Sequence, residues 1–93
     1  MNTPNRLDKR SLEMQLENYK IIMEANSDLF EKDLLLKEHI SHKMSMFESY
    51  TNELGYWGRK MDRIKYDQLL DQANKVLEEI SLLIMQTLDQ KNK

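Results

Sequence analysis

Apolar residues recur along this chain at steps of three and four, the repeat expected of a helix that buries one face. Leu12, Leu16, Tyr19 and Met23 make the first stripe. Leu36, Ile40, Phe47, Tyr50 and Leu54 make the second, with Lys43 as its polar occupant. Tyr66, Leu70, Ala73, Leu77, Ile80 and Ile84 make the third, widened by Leu69, Val76 and Leu83. The pattern predicts an all-α fold, either an antiparallel helical hairpin or a three-helix bundle. It forms one domain over residues 1–93, with ends frayed at about 1–5 and 89–93.

The breaks between stripes follow from residues that stop or start helices. The first helix opens at Thr3-Pro4, or, if those residues fray, at Asp8. Asn26-Ser27-Asp28 places three cap- and turn-forming residues in a row, with Glu31 where a capping-box partner would stand. A break is therefore expected near 26–28. The stretch from Asn52 to Asp62, NELGYWGRKMD, holds the chain's two glycines and its one tryptophan. Glycine is the usual residue just past a helix end. Gly55 is read as the stop of one helix, Gly58 as the hinge before the next, and Trp57 as the anchor of the turn against the seam. The last helix is expected from about Lys60 to Leu88.

Two places carry more apolar surface than one stripe needs. Leu34-Leu35-Leu36 wraps around more than one face. Leu82 lies about 200° around the helix from Ile80, at about 100° per residue, and Met85 also falls off the seam. A helix that packs on one side keeps such positions polar. The surplus predicts an interface, so Leu34, Leu35, Leu36, Trp57, Leu82, Leu83 and Met85 are the candidate partner-binding residues. The bundle is expected to be completed by dimerisation or by a partner helix, a homodimer being favoured because so short a chain supports only a small core.

Composition narrows the function classes. Leu, Lys and Glu are the commonest residues, and all three suit helices. With only two glycines and one proline, turns are too few for a sheet of many short strands. A formal charge of −2 predicts no general attraction to nucleic acid or to an anionic membrane. The absence of cysteine removes disulfides, thiol catalysis and the usual structural zinc ligands, and fits a reducing compartment. No stretch approaches the roughly 20 apolar residues of a membrane span, and the N-terminal residues lack a signal-peptide core. A soluble, cytoplasmic protein is expected.

Candidate chemistry is sparse. Arg59, Lys60, Arg63 and Lys65 put four cations beside Tyr56 and Trp57, a pattern that could contact a polyanion or an acidic partner. Its plainer reading is a solvated helix start. His39 and His42 share a helix face, but two histidines cannot fill a metal's coordination shell, and no metal or cofactor is expected. No phosphate-binding loop and no nucleophile beside a base occur, so no enzyme is expected. In size, charge and helical make-up the chain resembles the small cytoplasmic chaperones of bacterial secretion and flagellar export. That resemblance implies a role in holding helices of client proteins. The expected function is thus a non-catalytic helical interaction module, an adaptor or export-type chaperone that binds a partner helix. The alternative is a small regulator that contacts nucleic acid through residues 59–65.

Overall fold

The computed structural model describes residues 7–57, 60 and 62–91, with the backbone alone at 57, 90 and 91. Among these residues four helices appear in order: α1 Lys9–Ala25, α2 Ser27–Glu31, α3 Leu34–Trp57 and α4 Arg63–Lys91. No strand occurs among the described residues. The fold is all-α, and its centre is the antiparallel hairpin of α3 and α4.

Each long helix begins at an aspartate. Asp8 Oδ1 accepts the backbone N–H of Ser11 at 2.8 Å, Asp33 Oδ1 that of Leu36 at 3.1 Å, and Asp62 Oδ1 that of Lys65 at 2.8 Å. Each bond satisfies an N–H of the first turn that has no partner within the helix. The start at Asp8 is the later of the two expected; Thr3 and Pro4 lie outside the described residues. α1 ends at Asn26, inside the expected break at 26–28. There the mechanism differs from a capping box. Asn26 makes no side-chain cap to α2, and its Nδ2 instead donates to the carbonyl of Ile22 at 2.8 Å. Glu31 turns away and pairs with Lys37. A further break at Lys32–Asp33 separates α2 from α3.

The second break falls inside the expected stretch between Gly55 and Gly58, with α3 ending at Trp57, but the role of Gly55 differs from expectation. Gly55 does not stop a helix, because α3 continues through it to Trp57. A Cβ placed on Gly55 would lie 3.2 Å from Cε of Lys9. The glycine lets the Lys9 side chain lie close across α3, which explains its place in a helix without any left-handed backbone. Gly58 lies outside the described residues. The last helix starts at Arg63 rather than Lys60 and runs past Leu88 to Lys91. Lys60 itself is in a turn.

α1 returns along the hairpin antiparallel to α3, placing Lys9 near Gly55 and Lys20 3.8 Å from Glu48. Its entry is fixed on α4 by Asn74. The Asn74 amide accepts the N–H of Leu7 at 2.9 Å and donates to the carbonyl of Leu7 at 3.0 Å. α2 packs against α1, α3 and α4 and inserts Phe30, which is buried in the core. At about 1.5 Å per residue, the 29 residues of α4 span about 43 Å, nearly the whole 46 Å long axis of the molecule. The 17 residues of α1 cover only part of that length.

The core joins Leu12 and Leu16 of α1, Ile40 and Phe47 of α3, and Leu77, Ile80 and Ile84 of α4. The α4 seam follows the expected stripe. In α3 the buried line passes through Met44 and Thr51 rather than Lys43 and Tyr50. Lys43 sits at the flank, where it meets Glu79 of α4 at 3.4 Å, and Tyr50 packs half-buried beside the core. Thr51 and Thr87 can face inward because each hydroxyl donates to its own helix, to the carbonyls of Glu48 and Leu83.

Candidate partner-binding surface

The surplus leucines divide into two sets. Leu36 stands one turn before Ile40, which carries it onto the inward face, and it packs half-buried against the core. Its neighbours Leu34 and Leu35 are rotated away by the helix period and remain exposed, Leu35 at 81%. On α4, Leu83 flanks the buried seam and packs against the core. Leu82 stands about half a turn from both Ile80 and Ile84, each fully buried, and is 56% exposed; Met85 is 60% exposed. Four of the predicted residues, Leu34, Leu35, Leu82 and Met85, thus point out of the chain, and two, Leu36 and Leu83, pack half-buried against its core.

The antiparallel hairpin brings the outward four to one end of the molecule. The first turn of α3 lies beside the last third of α4, as the more central Lys43–Glu79 pair requires. Their helix positions differ, so they line several outward faces of that end. Trp57 ends α3, and its side chain lies outside the described residues. Exposed apolar residues that the periodicity had not singled out are Met14 and Ile21 on α1, Tyr56 at the end of α3 and Ile64 at the start of α4. Their signal was available: each falls off the buried stripe of its own helix.

Lys60, Arg63 and Lys65 are exposed around the turn of the hairpin; Arg59 lies outside the described residues. A shallow cleft of about 540 Å³ adjoins them. Glu53 and Asp62 line the cleft together with Lys60 and Lys65, so it carries both signs of charge. Asp62 is also committed to the cap of α4. A polyanion would therefore meet carboxylates as well as ammonium groups here. His39 and His42 are both exposed on α3. Among the described residues no three metal-ligating side chains converge, and no helix is long and apolar enough to cross a membrane.

No protein-family model matches the chain, and neither does any curated protein or any solved structure.

Proposed function

We propose that this protein is a non-catalytic helical interaction module that docks a helix, from a second copy or from another protein, through its exposed apolar side chains. One observation carries the reading: Leu34, Leu35, Leu82 and Met85 are each more than half exposed at one end of a small domain. Burying a leucine contributes roughly 1.5–3 kcal/mol, so leaving several of them in water forgoes stability that a chain of this size can ill spare. A helix laid against that end recovers it, either in a groove or as an added member of the bundle. Met85, with a side chain that adapts to varied shapes, suits such a surface. An adaptor or export-type chaperone in a reducing cytoplasm is the cellular role this reading favours, supported by the chain's lack of cysteine.

The test is a capture experiment from host extract with wild-type protein and Leu82→Glu as baits. Proteins held by the wild type at high salt and lost with Leu82→Glu support docking through the apolar end. Identical profiles for the two baits contradict it. Retention of nucleic acid that declines steeply with added salt would support a regulator acting through Lys60, Arg63 and Lys65 instead.

A further inference from the structure

Along α4, Ile64, Gln68, Asp71, Lys75, Glu78, Leu82 and Met85 follow one another at alternating steps of four and three. All seven are exposed. The stripe lies opposite the buried seam and extends about 32 Å at about 1.5 Å per residue. Its mean step of 3.5 residues keeps one face of a helix turned toward a second helix along its whole length. Its ends are apolar: Ile64 is 73% exposed at one, and Leu82 and Met85 are 56% and 60% exposed at the other. Its centre carries Asp71, Lys75 and Glu78. Lys75 and Glu78 form no ion pair among the described residues.

We infer that this stripe is where two copies of the chain pair, α4 against α4 in antiparallel orientation. The inference rests on the docking reading above and names the occupant as a second copy. The charge order decides the orientation. A parallel pair sets each position against itself, so that Asp71, Lys75 and Glu78 would each face a like charge, which is unfavourable. An antiparallel pair offers one register in which the six positions from Ile64 to Leu82 agree. Ile64 meets Leu82 of the second copy, Gln68 meets Glu78, and Asp71 meets Lys75. The two-fold axis repeats each contact.

Sliding either copy by one heptad sets Ile64 against Asp89 or against Lys75, an apolar side chain against a charge. The polar centre thus fixes register and direction at some expense of strength, as polar residues in helix seams do. Asp71 can serve two donors, because a carboxylate accepts several hydrogen bonds. Leu34 and Leu35 lie on α3, off this stripe, and stay available to a different partner.

Sedimentation equilibrium of the full chain from micromolar to millimolar concentration tests the pairing. The wild type should show a reversible monomer–dimer equilibrium. Lys75→Asp sets aspartate against Asp71 twice per dimer and should weaken association by roughly tenfold or more. Adding Asp71→Lys to Lys75→Asp restores opposite charges only if these two positions face each other, and should restore the dimer. Circular dichroism monitors folding of each variant, all of which alter exposed residues. A wild type that stays monomeric at millimolar concentration overturns the inference. So does a dimer indifferent to Lys75→Asp, or one that the double exchange fails to rescue. A dimer that survives Lys75→Asp yet dissociates with Leu35→Glu overturns this surface while leaving the docking function standing.

Discussion

Asp8, Asp33 and Asp62 each stand one residue before a long helix and accept a backbone N–H three residues on. Asp62 also places a carboxylate at a helix start crowded by Arg63 and Lys65, where cations oppose the helix dipole. Replacing Asp62 with alanine should destabilise the fold by about 1 kcal/mol in urea unfolding. At Asp8 the hydrogen bonds from Ser11, backbone first, hold the carboxyl below its ordinary value of 3.8, with Arg10 adding a smaller effect. Its charged form therefore favours the native state. That contribution is complete above the ordinary value and fades as pH falls through the lowered one. Acid titration of the thermal midpoint should show a low-pH decline that is smaller in Asp8→Asn, which can cap without ionising. Asp8 was legible as a helix start, whereas Asp33 and Asp62 were not. Asp33 is followed by three leucines that draw attention as a patch, and Asp62 lies within a basic run that reads as charge rather than as position.

Among the elements, the periodicity located the seams of α1 and α4, and the cap-forming and glycine residues located the breaks near 26–28 and 55–58. The role of Gly55 as the stop of α3 was misread. Glycine is a helix-stop signal only when nothing else requires it, and at Gly55 the requirement comes from Lys9, distant in sequence. That contact also sets the sign of a substitution. Lys9 Cε belongs to a flexible, part-exposed side chain whose ammonium reaches Glu13 at 3.0 Å, so it can shift by a few tenths of an ångström. Gly55→Ala should then stabilise the protein by somewhat less than the full difference of about 1 kcal/mol between the two residues in a helix. A fall in the melting temperature would show instead that the Lys9 contact is rigid. Asn74 had no periodic signal at all, since its role is to hold the backbone of Leu7, 67 residues away. Asn74→Ala leaves both groups of Leu7 without this partner and should cost roughly 1–3 kcal/mol. Faster amide exchange over α1 would report the loosened entry.

On the scale of the whole molecule, a long hairpin carries a shorter helix along part of its length and a five-residue helix packed against all three. What remains outside includes Leu34 and Leu35 on α3 and Ile64, Leu82 and Met85 on α4, each of which the chain's own packing leaves more than half exposed. The excess at the leucine run and at Leu82 and Met85 could be read from spacing alone, because both depart from a single stripe. Ile64 carried the same kind of signal, since it stands two residues before Tyr66 and so about 200° around α4 from the seam. The central claim is that a second copy of the chain covers Ile64 and Leu82. Light scattering of the purified protein at millimolar concentration, beside Leu82→Glu, tests it most directly. The account predicts a wild-type mass approaching twice that of the chain and a Leu82→Glu mass equal to it, with equal helicity. Two proteins of the same mass, whether both single or both double, would contradict it.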